Sequence, residues 1–207
     1  MPIAKPIVLT LAMLGCGLPA NAANFADPTW PCVQRKVASL SVGLMWALPI
    51  DTTAQPDDAT TRADVAELAG LLALRRVDLG DLQPRIDAFA AKYDGDSHLL
   101  GLVFHQVFER LSKRRTRIIN GIGRFSLSQI ALAEQIDANR AEMDNALDKA
   151  KPDFDRVDAL EEQLDWDQVI FTDRQRNIAY LCETPTLLER RLFSLAQSLQ
   201  AVARDPG

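Results

Sequence analysis

The chain has 207 residues, 47% apolar and 25% charged, which is enough apolar sequence for a core of ordinary size. This composition excludes collagen-like, disordered and disulfide-dense proteins. A formal net charge of −5 argues against nucleic acid as a partner, because phosphate is bound by an excess of lysine and arginine.

The N-terminus has the three parts of a secretory signal peptide. Lys5 is the only charged residue before Asp27, and a short apolar run over residues 6–15 follows it. This run is shorter than the roughly 20 apolar residues that cross a bilayer. Ala20-Asn21-Ala22 supplies a cleavage site, so we expect residues 1–22 to be removed and the mature protein to be periplasmic.

A second interpretation of the N-terminus depends on Cys16. The segment Met13-Leu14-Gly15-Cys16 resembles the end of a bacterial lipoprotein signal, in which the cysteine becomes lipid-modified. A protein anchored to a membrane through Cys16 is therefore the alternative to a free periplasmic protein.

Cys16 is either removed with the signal peptide or lipid-modified, which leaves Cys32 and Cys182 in the mature chain. An even number of cysteines in an oxidising compartment indicates a disulfide, and neither belongs to a Cys-x-x-Cys motif. We predict a disulfide between them, which would join the N-terminal segment to the C-terminal helices. Two separate buried thiols are the alternative.

From residue 58 onward the apolar residues recur with a helical period. The pattern predicts a first helix that starts near Thr60-Thr61 and ends near residue 76. Asp81 is expected to cap a second helix with Pro84 in its first turn.

A proline-free stretch over residues 97–150, capped by Ser97, predicts a long helix with a bend or break at Gly121 and Gly123. Lys151-Pro152 should end it. Asp153 is then expected to cap a helix that reaches about Leu181.

Pro185 is expected to open the last helix at its first turn. Residues 124–182 therefore predict a helical hairpin with arms of equal length. The predicted fold is an all-α helical bundle with a long antiparallel hairpin of the coiled-coil type. Such a hairpin is compatible with an elongated molecule. An irregular N-terminal arm and linker occupy residues 23–57, before a bundle domain at 58–207.

The sequence contains none of the common catalytic or phosphate-binding motifs, so we expect no enzyme activity and no cofactor. His98, His105 and Glu109 form a narrow polar stripe on a mostly apolar helix and are weak candidates for metal ligands. The simpler interpretation is that they form the solvent-exposed edge of an otherwise buried helix. The carboxylates around Glu161-Glu162 and Asp165-Trp166-Asp167 are interpreted as a solvated helix face.

Charge is unevenly distributed along the predicted hairpin. Residues 110–124 contain six basic side chains and no acidic one: Arg110, Lys113, Arg114, Arg115, Arg117 and Arg124. Residues 134–167 contain twelve acidic residues against four basic ones, a net charge of −8. One interpretation is a solvent-facing helix with salt bridges to its neighbours. The other is a bipolar molecule whose basic segment contacts an anionic membrane or an acidic partner, while its acidic hairpin contacts a basic partner.

The arm contains an apolar run over residues 42–50, with Trp46 at its centre. If Trp46 is exposed, it is a candidate interface residue, since aromatic side chains are favoured at interface cores. If it is buried, it anchors the arm to the bundle.

These patterns together predict an exported, non-catalytic protein that acts by interaction, as an adaptor or assembly factor for a partner in the cell envelope. The candidate interaction residues are Trp46, Arg110, Lys113, Arg114, Arg115 and Arg117. The alternative is a periplasmic helical domain that binds a small ligand or metal near His98 and His105.

Overall fold

A computed structural model describes residues 27–204, and the predicted signal peptide with Cys16 lies outside this range. An irregular arm contains a short 3-10 helix, Val42–Leu44. Four α-helices follow: α1 Ala59–Leu72, α2 Leu79–Lys92, α3 Ser97–Leu147 and α4 Phe154–Val202. The predicted all-α fold is confirmed, and residues 27–204 contain no β-strand.

The helix starts are determined by aspartate caps. Asp153 caps α4 as predicted, and its carboxylate accepts the N–H of Arg156 at 3.2 Å. The first three helices begin earlier than predicted, because an upstream aspartate accepts their first free N–H groups: Asp58, Asp78 and Asp96. Prediction erred because several polar residues near each start are good caps.

The long hairpin is built on one repeating seam. Helices α3 and α4 pack antiparallel, and their inward positions alternate in steps of three and four residues. On α3 these seam positions are 101, 104, 108, 111, 115, 118, 122, 125, 129, 132, 136, 139, 143 and 146, all at least partly buried. On α4 they run from 157, 160 and 164 to 195, 199 and 202 in the same steps, and only Arg174 is exposed. This spacing is the heptad repeat of a coiled coil.

The predicted break at Gly121 and Gly123 is wrong, because α3 continues through both residues. Neither glycine occupies a seam position. A Cβ added at Gly123 would meet Thr29 of the arm at 3.4 Å, so this glycine permits close approach of the arm.

The predicted helix boundary at Pro185 is also wrong, because α4 runs through the proline without interruption. Pro185 is buried at a seam position, where packing against α3 offsets the loss of its backbone donor. Thr184, the preceding residue, donates its hydroxyl to the carbonyl oxygen of Tyr180 at 3.0 Å.

The base of the molecule contains the main core, formed by α1, α2 and the adjoining ends of α3 and α4. The residues after α4 contact the turn before α3, where the Arg204 N–H donates to the Gly95 carbonyl at 2.8 Å. Gly95 has a φ of +68°, and a Cβ there would lie 2.8 Å from the Val202 oxygen. Only glycine fits this closure.

The arm is fixed to the middle of the hairpin by the predicted disulfide. Cys32 and Cys182 are bonded, with their Cα atoms 5.5 Å apart and 150 residues of chain between them. The bridge is buried with Trp30, Ile119 and Ile122 in a second small core. A disulfide of this kind is typical of a protein in an oxidising compartment.

We expect replacement of both bridged cysteines, Cys32→Ser with Cys182→Ser, to lower the free energy of unfolding by about 2–5 kcal/mol, since the bridge closes a long loop. Urea titration measures the loss. In a Cys16→Ser background, thiol counting on denatured and unreduced protein should find no free thiol. Two free thiols would contradict the bridge.

A pH-dependent contact joins α1 to the end of α2. Asp64 accepts hydrogen bonds from Lys92 and from the Tyr93 hydroxyl, and these bonds lower the pKa of Asp64 below its usual 3.8. The same contact raises the pKa of Lys92. A carboxyl whose pKa is lowered by folding stabilises the native state above its unfolded pKa, and this stabilisation is lost as pH falls through the folded pKa.

Asp64→Asn should therefore reduce the pH dependence of stability below about pH 4, where the stabilisation by the ionised Asp64 is lost. Urea midpoints measured across this range for the parent and the variant test this. Asp57→Asn, which removes an exposed carboxylate from the segment before α1, is the control for the change in net charge. An unchanged slope in Asp64→Asn would disprove the link.

Candidate interaction site

The residues proposed as metal ligands are each engaged elsewhere or lie apart. His98 Nε2 lies 2.8 Å from the carbonyl oxygen of Ala54, so this imidazole ties the linker to α3. Glu109 forms a 3.1 Å ion pair with Lys113. His105 is partly buried on α3. Within residues 27–204, no group of three or more histidine, cysteine or acidic side chains is arranged to hold a metal ion.

The acidic residues of α4 divide into two environments. Four carboxylates lie on the outer, exposed surface of the helix, as predicted: Asp158, Glu161, Glu162 and Asp165. The expectation was wrong for Asp167, which is only 5% exposed and accepts a 3.1 Å hydrogen bond from Gln135 Nε2. Asp167 occupies a seam position, and the spacing 160, 164, 167, 171 is the sequence signal that identifies it.

Trp46 is buried, so the exposure that an interface role requires is absent. The side chain is 3% exposed and stacks on Phe104, with ring centroids 5.1 Å apart. Gly101 lies beneath the arm, where a Cβ would come within 3.2 Å of the Ile50 side chain and 3.7 Å of the indole. Gln200 fixes the backbone on either side: it donates to the Met45 carbonyl at 3.2 Å and accepts the Ala47 N–H at 3.0 Å.

Trp46→Ala should lower the free energy of unfolding by ~3–5 kcal/mol, the usual range for truncating a large buried aromatic side chain. Leu44→Ala is a matched control two residues away, since Leu44 is 83% exposed and should change stability by less than about 0.5 kcal/mol. Equal urea midpoints for the two variants would show that Trp46 does not anchor the arm.

The basic candidates also divide by burial. Arg115 is 2% exposed at a seam position, where it pairs with Glu189 at 2.7 Å and donates to the Val37 carbonyl at 2.6 Å. It joins α3, α4 and the arm and is not available to a partner. Arg110, Lys113, Arg114 and Arg117 are exposed, as is Arg124.

The two sides of the hairpin seam are covered differently. The arm covers one side in the middle of the hairpin, where Ile119, Gly123 and Ser126, each directly after a seam position of α3, lie against it. Ser126 donates to the Pro28 carbonyl at 2.6 Å, and Gly123 faces Thr29. The other side is covered only at the base, where Arg191 donates to the carbonyls of Leu72 and Val77.

Beyond the base, this second side of the hairpin is uncovered, and we call it the open face. It consists of residues that directly precede seam positions, at 114–131 on α3 and 166–187 on α4. Its α4 edge exposes four large side chains: Trp166 (63%), Ile170 (40%), Tyr180 (73%) and Leu187 (47%). The polar residues Asp173, Asn177 and Thr184 lie between them on the same edge. Its α3 edge has small and basic side chains: Arg114, Arg117, Gly121, Arg124, Ser128 and Ala131.

The basic segment was predicted from the sequence, but the open face was not. Period alone shows which residues face the seam, whereas the uncovered side depends on where the arm and α1 lie. The signal in the sequence that could have indicated the open face is a set of four large apolar residues on α4 outside the seam: Trp166, Ile170, Tyr180 and Leu187.

Comparison of the chain with protein-family models, with curated proteins and with solved structures finds no match. Among the helices of residues 27–204, none combines the length and the apolar character needed to span a bilayer.

Proposed function

We propose that this protein is an exported, non-catalytic interaction factor and that a helical partner in the cell envelope docks on the open face. The observation that supports this proposal is the run of four large, exposed, non-adjacent side chains on one edge of α4: Trp166, Ile170, Tyr180 and Leu187. Exposed apolar surface with a polar rim is characteristic of protein interfaces. Aromatic residues are enriched at interface cores.

The shape of the hairpin supports the same role. Two helices that share a single seam bury only one stripe each, and additional helices usually cover the rest of such a pair. Here the arm covers one side as far as Ser126, and α1 with its following turn covers the other side at the base. A third helix on the open face would complete the packing along the hairpin.

An oxidising location agrees with the Cys32–Cys182 bridge. Export through residues 1–22 to the periplasm is the route we propose, with a lipid anchor at Cys16 as the alternative.

Site-specific photo-crosslinking in the producing cells tests the docking role. A benzoylphenylalanine introduced at Ser128, an exposed residue in the middle of the open face, should give a discrete adduct with another protein. The matched control is the same photoreactive residue at Leu127, which is 47% exposed on the outer side of α3. No adduct at 128, or the same adduct at both positions, would reject the proposal.

A further inference from the structure

We infer that the segment bound on the open face is an acidic amphipathic helix, with its apolar side in the groove between α3 and α4 and its carboxylates against the arginines of α3. This inference rests on the proposed docking role and assigns the chemistry of the partner.

The groove has the shape that receives a helix. On the α3 edge, Gly121, Ser128 and Ala131 recur in steps of seven and three residues, so the wall is low along its middle. A Cβ added at Gly121 would find no atom within 4 Å, so the space above it is open. On the α4 edge opposite, Ile170 and Tyr180 are large exposed apolar side chains, and the polar Asp173 and Asn177 lie between them. A helix of the partner can therefore pack with one row of its side chains between the α3 edge and the α4 edge.

The length of the groove suits a helix of ordinary size. From position 114 to position 131 the rise along α3 is about 26 Å at 1.5 Å per residue, which corresponds to roughly five turns. Below it, Arg191 and the turn after α1 close the groove, because Arg191 donates to the Leu72 carbonyl at 3.1 Å. The occupant therefore ends against the base.

The charge of the α3 edge selects an acidic occupant. Arg114, Arg117 and Arg124 are exposed on the open face, and no ion pair within residues 27–204 includes any of them. The acidic residue on the open face, Asp173, is paired within the chain, 3.4 Å from Arg176. Three unpaired guanidinium groups beside an apolar groove favour glutamate or aspartate at the flanking positions of a bound helix.

An anionic membrane is the other surface that these arginines can contact, but it does not account for the groove. A lipid surface would meet the charged edge without needing the space above Gly121 or the exposed side chains of Ile170 and Tyr180. The two occupants therefore respond differently when the groove is filled and its charge is kept.

The first measurement compares two synthetic helices of 21 residues with identical leucine and alanine positions. One has glutamate at every flanking position, and the other has lysine. Fluorescence anisotropy with the full chain should give at least tenfold tighter binding of the glutamate peptide at 50 mM salt. The ratio of the two dissociation constants should become smaller at 500 mM salt, because salt screens exposed charges. Equal or tighter binding of the lysine peptide would overturn the inference.

Two variants locate the binding. Arg114→Glu with Arg117→Glu and Arg124→Glu should reverse the preference between the two peptides. The control Arg75→Glu with Arg85→Glu and Arg190→Glu makes the same change in net charge at exposed positions outside the open face and should leave the preference unchanged. A reversal by both sets of substitutions would show that net charge alone decides binding, and it would reject the groove.

Filling the groove distinguishes a helix from a membrane. Ser128→Trp with Ala131→Trp keeps every arginine and should weaken binding of the glutamate peptide at least tenfold. Vesicles of phosphatidylcholine and phosphatidylglycerol are the second probe. Two results together would overturn the inference: the vesicles bind this variant, and the glutamate peptide does not bind the parent. They would show that the arginines contact lipid.

The inference and the proposed function can fail separately. An adduct at position 128 with a protein segment that lacks acidic residues would reject the acidic helix and keep the docking role. Binding of the glutamate peptide without any adduct in cells would support the chemistry of the groove and reject docking in the cell.

Discussion

Everything beyond the base of this molecule depends on the seam between α3 and α4. The seam runs in unbroken steps of three and four residues along both helices, so each helix has a partner for its inward stripe from base to tip. Polar side chains interrupt it at intervals: Gln129 donates to the Phe171 carbonyl at 3.2 Å, and Gln135 pairs with Asp167. A shift of one helix along the other would leave the buried Asp167 carboxylate and the partly buried Gln129 amide without these partners, which costs more than the loss of an exposed contact. The polar pairs therefore fix the register of the hairpin.

The same seam explains where prediction from sequence succeeded and where it failed. Helical period and the cap at Asp153 correctly gave the hairpin, because both signals are local. Pro185 and the glycines at 121 and 123 are local signals for a break, but their effect depends on what surrounds them. Pro185 lies at a buried seam position and Gly123 lies under the arm, so long-range packing overrides the local preference at both.

The candidate site could be predicted only in part, for a related reason. Composition located the basic segment, but it could not separate Arg115, which is buried against Glu189 and the arm, from Arg114 and Arg117, which face solvent. Arg115 is in step with the seam residues Leu111 and Ile118, whereas Arg114 and Arg117 each lie one position earlier. That offset separates the buried arginine from the exposed ones, but it does not show that the side of the hairpin with Arg114 and Arg117 is left uncovered. The disulfide needed no such knowledge: once Cys16 is assigned to the signal peptide, the other two of the three cysteines allow a single intramolecular pairing.

The position of the disulfide also determines how the molecule responds to mechanical tension. A pull applied between residue 27 and residue 204 passes along the arm to Cys32, across the bridge to Cys182 and along the last five turns or so of α4. Residues 33–181, which include α1, α2, all of α3 and most of α4, lie inside the covalent loop and outside this path. A tether at the N-terminus and a load at the C-terminus would therefore place tension on residues 27–32 and 182–204, while the part of the hairpin beyond the bridge is free of tension.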